Sequence, residues 1–465
     1  MAAGSRADAA TETALYRSEE KIHAREVSGT FTRLRKIAVL VLLGIFYALP
    51  WITWEGRQAV LFDLPARKFH LFDLTLWPQD FIFLALLLII AALSLFFFTA
   101  LAGRLWCGYA CPQTVWTEVF VWMEQWTEGK YSQRKKLDKA PWTTEKFLRK
   151  GAKQFLWITF ALFTGLTFVG YFTPIRELVV SFATFSLGPW QTFWVFFYGF
   201  ATYGNAGFMR EQVCKYMCPY ARFQSAMFDR DTLIITYDED RGEPRGSRRR
   251  GVEPREVGLG DCIDCTLCVQ VCPTGIDIRE GLQYECIACA ACIDACDGVM
   301  DRMGYPRKLI KYSTQHAIDG ETTRVLRPRV IVYGILLLIL MSGFSYALSQ
   351  RSALTLDIIR DRNALYREVG DGYIENSYQL KLINKTDMAH SYRLAVAGID
   401  GAQVDVPTGD IRLDAGEVLG VPVIVRAPGE NVSGVQELEF TLQATGDATI
   451  TQSRESKFVA PVSRR

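Results

Sequence analysis

From residue 297 to residue 465 the chain has no cysteine at all, and its 12 cysteines lie between Cys107 and Cys296. A disulfide framework is excluded from that long C-terminal stretch, and crowded free thiols belong in a reducing compartment. Histidine is almost as scarce. His23, His70, His316 and His390 all fall outside the long apolar runs, and C-x-x-C-H is absent. This excludes a bis-histidine haem inside a bilayer and a c-type haem. No glycine-rich fingerprint follows a strand pattern, so pyridine nucleotide is not an obvious direct donor, and electrons are expected from another protein or from quinol. A net charge of +2 over 465 residues lacks the basic excess of a nucleic-acid footprint, so no nucleic-acid partner is expected. Residues 1 to about 30 carry no apolar stripe and read as a mobile tail. The apolar run behind them has no small-residue cleavage site, which speaks against a signal peptide.

What is present is apolar. Hydrophobic residues make up 49% of the chain and aromatics 13%. Five runs reach spanning length, at 37–54, 81–105, 155–172, 190–208 and 330–348. The fourth holds Gly199, Gly204, Asn205 and Gly207, which suits a helix packed against protein. Basic residues such as Arg104, Lys130, Arg134, Lys135 and Lys136 crowd the segment between the second and third runs, so that side is expected inside. The N-terminus and residues 229–328 are then cytoplasmic, and residues after 349 lie outside, with membrane lipid as the immediate partner. Residues 113–126 place Trp116, Phe120, Trp122 and Met123 near helical spacing, as in an interfacial helix lying along the headgroups.

The cysteines fall into two patterns. The runs CIDCTLCVQVCP and CIACAACIDACD each set four cysteines at C-x₂-C-x₂-C-x₃-C, the bacterial ferredoxin spacing for cubane iron-sulfur clusters. Three thiolates of one loop hold three corners of a cubane, and the fourth of each run ligates the other cluster. One [4Fe-4S] cluster is expected on Cys262, Cys265, Cys268 and Cys296, and a second on Cys286, Cys289, Cys292 and Cys272. Paired zinc knuckles are the alternative, but these usually separate two C-x₂-C pairs by a longer spacer. Ala288, Ala290 and Ala291 fit a loop whose amides approach inorganic sulfide. Asp297 stands where ferredoxins usually carry a second proline.

The other four cysteines come from an internal repeat, RLWCGYACP after the second run and EQVCKYMCP after the fourth. Cysteines four apart share one face of a helix, and the following proline disfavours helix at Cys111 and Cys218. A pseudo-symmetric four-helix bundle would gather Cys107, Cys111, Cys214 and Cys218 near the cytoplasmic face as a soft site suited to Cu(I), zinc or iron-sulfur. The bland reading makes them small core residues, and Met217 either packs or adds a thioether. From about residue 352 short alternating runs, at 354–359, 378–383, 392–396, 418–425 and 438–442, are punctuated by Gly, Asp, Asn and Pro. They read as a small β-sandwich in which the lone His390 makes no site.

This order of parts resembles the cytochrome c oxidase accessory family of the CcoG, FixG and RdxA type, over nearly the whole chain after the tail. The resemblance implies an inner-membrane cupric reductase that helps deliver copper to a cbb-type haem-copper oxidase. Its eight ferredoxin-type cysteines would be cluster ligands, and Cys107, Cys111, Cys214 and Cys218 would meet copper as substrate. The expected fold is a multi-domain membrane protein with an α-helical bundle of five transmembrane helices, a two-cluster ferredoxin-like α+β module and a C-terminal immunoglobulin-like β-sandwich. The expected boundaries are a mobile cytoplasmic tail at 1–35, a four-helix membrane region at 36–228 and the cytoplasmic ferredoxin-like domain at 229–328. A fifth transmembrane helix at 329–349 and the periplasmic sandwich at 350–465 complete them. Expected partners are an unidentified cytoplasmic electron donor, copper chaperones or oxidase assembly factors, and a second copy of the chain. A quinol-linked polyferredoxin conduit and a redox-sensing scaffold are the alternatives.

Overall fold

The computed structural model describes residues 21–361, 364–386, 388–406 and 409–461. Of the expected tail, residues 1–20 lie outside the described residues. Residues 21–29 correct that expectation: they have no regular structure but are pinned. Lys21 Nζ donates to Glu124 Oε1 at 3.0 Å, the Arg25 backbone N–H to the Gln270 carbonyl at 2.8 Å, and Arg134 pairs with Glu26 at 3.1 Å. Composition cannot register a segment held by ion pairs instead of by an apolar stripe. Two compact units form, one from residues up to 74 together with 87–339, the other from 75–86 together with 340 onward.

The helices used below are α1 (Thr30–Ala48), α2 (Phe81–Ala102), α3 (Leu105–Tyr109), α4 (Pro112–Glu128), α5 (Thr144–Val169), α6 (Pro189–Thr202), α7 (Ala291–Met303) and α8 (Pro328–Ser349). Among the described residues four helices are long and apolar enough to cross a membrane: α1 with its extension to Trp51, α2, α5 and α8. The expected fourth span differs. There α6 has 14 residues and continues as a π-helical stretch, Tyr203–Met209. Gly199 packs against Ala161 and Leu162 of α5 and Gly207 against Trp157, whereas Gly204 meets only the end of Met209 at 4.0 Å. A Cβ on Gly165 of α5 would sit 2.3 Å from the Val195 carbonyl of α6, and one on Gly207 would meet the Trp157 ring at 3.1 Å. Backbones this close need residues without side chains.

The helices of this unit are buried to very different extents. Within α2 only Phe83, Thr99 and Ala100 are buried, whereas α4, expected to lie along the headgroups, buries Val115, Phe120, Glu124 and Glu128. Trp157 of α5 donates its indole N–H to the Phe120 carbonyl at 3.1 Å, and Val39 and Leu43 of α1 pack against Val115. The stripe read as a membrane-facing surface is a protein-facing one. The reason is charge: the two buried glutamates of α4 meet Arg210, Lys150 and Lys153.

Beside the cysteine loops, a two-stranded sheet pairs β1 (Ile234–Tyr237) with β2 (Ile310–Ser313), antiparallel, Tyr237 opposite Ile310. The other unit holds β3 (Leu354–Arg360), β4 (Arg367–Val369), β5 (Tyr373–Asn384), β6 (His390–Ala397), β7 (Gln403–Asp405), β8 (Ile411–Leu413), β9 (Val418–Pro428), β10 (Val435–Ala444) and β11 (Asp447–Val459). One sheet runs β7-β9-β5-β3 with β4 also on β5, the other β8-β6-β10-β11. Alternate residues from both fill one core, including Leu380, Leu382, Tyr392, Val425, Phe440 and Leu442. All five expected strands are present. The longest strand, β11, was missed because it is an edge strand of mostly polar residues whose fully buried contribution is Phe458. In the same unit Asp80 is a buried anchor, taking 2.9 Å and 3.0 Å contacts from Arg351 and Lys385 that hold its carboxyl below the usual range against the opposing effect of burial.

Candidate iron-sulfur and thiol sites

Each ferredoxin run folds into the same local shape. Asp264 and Thr266 flank Cys265 with φ of 53° and 54°, and Ala288 and Ala290 flank Cys289 with φ of 54° and 58°. Left-handed residues on both sides of the middle cysteine turn successive amides inward, as in an anion-binding nest. Ala288 N–H donates to Cys286 Sγ at 3.4 Å. The small side chains expected here are deeply buried, Ala290 fully so. Asp297, in place of proline, uses its carboxylate to accept the Lys308 backbone N–H at 2.8 Å.

The two predicted quartets come together, crossing included. Cys262, Cys265 and Cys268 share a small cavity with Cys296, which α7 brings back, and its walls are apolar, including Leu267, Met300 and Ile310. Cys272, Cys286, Cys289 and Cys292 share a second, walled by Ile235, Ile276 and Ile278. Burial pushes the Cys268 thiol up to about 11 and those of Cys286 and Cys296 up to about 12. Thiols so desolvated become ligands only when a cationic core repays the lost hydration, which an iron-sulfur cluster does. Each quartet spreads its thiols around its own cavity, which fits a cubane that spaces its thiolates over four irons.

The C-x₃-C-P elements are built differently. Gly103, φ 54°, ends α2 where a Cβ would sit 2.7 Å from the Leu233 carbonyl, and only glycine fits. Cys107 lies in α3. Cys111 is extended, and Pro112 then opens α4. In the second element Cys214 lies in a π-helical turn, Val213–Met217, Cys218 is extended, and Pro219 opens the helix Pro219–Met227. The proline breaks fall where expected. The shared helical face does not, because the helix ends before Cys111 and winds wider at Cys214. All four thiols are half-buried, and Cys111 and Cys214 lie near enough to Cys107 to influence it electrostatically, although no three of the described residues close around one metal position. Burial, then Cys111 among its neighbours, pushes Cys107 up to about 12, and burial followed by Cys111 and Cys218 pushes Cys214 up to about 11. Cys107 Sγ donates to Gln224 Oε1 at 3.3 Å. Met217 is 57% exposed.

Contacts that sequence reasoning missed join the two kinds of site. A Cβ on Gly108 would lie 2.8 Å from the Ile287 carbonyl and 2.9 Å from that of Ala288, so α3 is seated on the loop that carries Cys286 and Cys289. Cys107 shares an apolar cluster with Ile287, Cys289 and Ala291. Tyr312 donates to the Ala288 carbonyl at 2.7 Å, and Arg104 donates to the carbonyls of Tyr284 and Ala221. Asp294 of α7 caps α1, accepting from the backbone N–H of Thr32 at 2.7 Å and of Phe31 at 3.2 Å. The only sequence signal for any of these was the glycine between the cysteines of the first element.

A ferredoxin-type pair of loops fused to apolar helices, with an immunoglobulin-like sandwich beyond, defines an iron-sulfur oxidoreductase of a membrane-protein type. Family models match three regions, one of them the stretch that holds Cys107 and Cys111. A 4Fe-4S binding domain matches residues 84–132, a 4Fe-4S dicluster domain matches 209–315, and the IG-like fold at the C-terminal of FixG matches 344–461. The chain is 37% identical to nitrogen fixation protein FixG of Rhizobium meliloti, covering 91% of this chain and 89% of that one. It is 42% identical to protein RdxB and 41% identical to protein RdxA of Cereibacter sphaeroides, covering 83% and 89% of each partner in the pair. The chain belongs to the FixG/RdxA family.

Proposed function

We propose that this protein reduces Cu(II) to Cu(I) beside Cys107, Cys111, Cys214 and Cys218, for delivery during assembly of a cbb-type haem-copper oxidase. The observation that carries this reading is the seating of Gly108 on the Ile287–Cys289 backbone, which brings a soft thiol site against a cluster-binding loop. The two clusters, when bound, supply one-electron carriers, and each Cu(II) accepts one electron. The chain's own residues half-bury the site and offer thiols that favour Cu(I) over Cu(II), which raises the potential of bound copper. Basic residues between α2 and α5 support an inner-membrane protein with its N-terminus and ferredoxin module in the cytoplasm and its sandwich in the periplasm. An electron donor on the inner side, copper chaperones or assembly factors as recipients, and self-association complete the proposal.

The test is an anaerobic optical and EPR titration of the reduced protein with stoichiometric Cu(II). Cluster signals should reoxidise as Cu(I) appears, and the Cys107→Ser, Cys111→Ser pair should lose this while keeping its clusters. Full cupric reductase activity in that pair would remove the thiol site from the mechanism. A second reading, a quinol-linked electron conduit, is favoured by a cavity of about 430 Å³ bounded by Cys214, by Gln113, Thr117 and Trp122 of α4, and by Ile287 and Ala291 of the second cluster loop. Quinol oxidation without copper would select it.

A further inference from the structure

The residue after the proline of each C-x₃-C-P element reaches across to the other repeat. Gln113, two residues past Cys111, donates from Nε2 to the carbonyls of Asn205 at 2.8 Å and Arg210 at 3.0 Å, on the approach to the second element. Tyr220, two residues past Cys218, donates to the Leu95 carbonyl at 3.1 Å and bonds the Thr99 hydroxyl at 2.6 Å, on the approach to the first. The backbone that Gln113 holds needs holding. It leaves α6 through a π-helical stretch and passes Arg210 at φ 35°, a strained value for a residue with a side chain. Arg210 is itself anchored, donating from Nη2 to the buried Glu124 at 2.7 Å and from Nε to the Gly207 carbonyl at 2.9 Å.

We propose that these crossed ties set the separation of the two thiol pairs, making Gln113, Tyr220 and Thr99 positioning residues for the four-thiol site. Cys111 and Cys218 each lie at a helix break, where the local chain leaves the thiol position open. Their backbone N–H groups bond within their own elements, to the carbonyls of Trp106 at 2.9 Å and Val213 at 2.8 Å, and the adjoining tie supplies the link to the opposite repeat. The inference rests on the copper reading of this site only for its metal probe.

The experiment uses full-length, detergent-purified, cluster-loaded protein under anaerobic conditions, with two readouts. Dibromobimane, which fluoresces on bridging neighbouring thiols, is mapped for bridges between Cys107 or Cys111 and Cys214 or Cys218. Cu(I) affinity is measured against a chromophoric chelator. Gln113→Leu, Tyr220→Phe and Thr99→Val should each reduce cross-repeat bridging at least fivefold and weaken Cu(I) binding at least tenfold, with iron and sulfide content unchanged. Thr99→Ser, which keeps the hydroxyl, should behave as the parent. Parental bridging in Gln113→Leu and Thr99→Val overturns the inference, as does absence of bridging in the parent or concurrent loss of clusters in all three variants. A parent that bridges but binds no Cu(I) defeats the copper reading alone, and bridging then decides the ties.

Discussion

The two ferredoxin loops and the two C-x₃-C-P elements both gather four thiols, but by opposite means. In a ferredoxin loop three ligands lie within seven consecutive residues, and left-handed residues at Asp264 and Thr266, or Ala288 and Ala290, aim the backbone locally. In the C-x₃-C-P elements each pair ends at a proline break, and Gln113 and Tyr220 bond across to the other repeat. A site written within one loop carries its geometry in its spacing. A site assembled from two segments carries it in the packing around them.

The sharpest way to break this contrast is to remove one ligand of each kind. Cys289→Ser should lose about half of the iron and acid-labile sulfide, since one cluster loses a corner ligand. Cys111→Ser should leave iron analysis at the parental value, and equal loss in both would erase the distinction. Next in size is Glu124→Gln. Glu124 is fully buried, and although burial opposes it, Arg210 and Lys21 hold its carboxyl well below the ordinary carboxylate range. Neutralising it leaves Arg210 buried beside an uncharged amide, at about 3–5 kcal/mol, read as a lowered thermal midpoint. Because the folded carboxyl is depressed, its stabilising contribution is present at neutral pH and disappears as pH falls through and below the ordinary carboxylate range, so the deficit of the variant should shrink in acid.

Gly108→Val tests whether the two kinds of site communicate. Its side chain would meet the Ile287 and Ala288 carbonyls, at about 1–3 kcal/mol of overpacking. Iron content and thiol count should survive while Cu(II)-driven reoxidation slows at least tenfold. An unchanged rate would make the seating incidental. The smallest effect is expected from Thr266→Gly, which relieves a β-branched residue at φ 54° and should raise the temperature of cluster loss slightly, worth up to ~1 kcal/mol.

Much of the molecule was legible beforehand, and the reasons differ by element. Both cluster loops, the five expected sandwich strands and four apolar helices follow from local spacing or period, which need no knowledge of the partner surface. The stripe of α4 was assigned to the headgroups because periodicity reports an apolar face without saying what covers it. Trp157 covers it, and Glu124 and Glu128 enter the interior because Arg210, Lys150 and Lys153 wait there. The pinned segment 21–29 escaped notice for the same reason, its anchors being charges more than 100 residues away in sequence. The ties of Gln113 and Tyr220 gave a faint signal, since both follow a Cys-Pro of the repeat, but they are different residue types making different bonds.

The sequence alone determined that two cubane-binding loops exist, because ligand spacing along a short loop is itself a geometric constraint. It also determined the family, the apolar helices and the sandwich. Only the tertiary structure decided that α3 rests on the second cluster loop, that α4 lies inside the helical packing, and that each thiol pair is held by the opposite repeat. Those relations depend on close approach between segments distant in the chain, where a missing Cβ or a single amide hydrogen bond determines the outcome, and no local pattern encodes them.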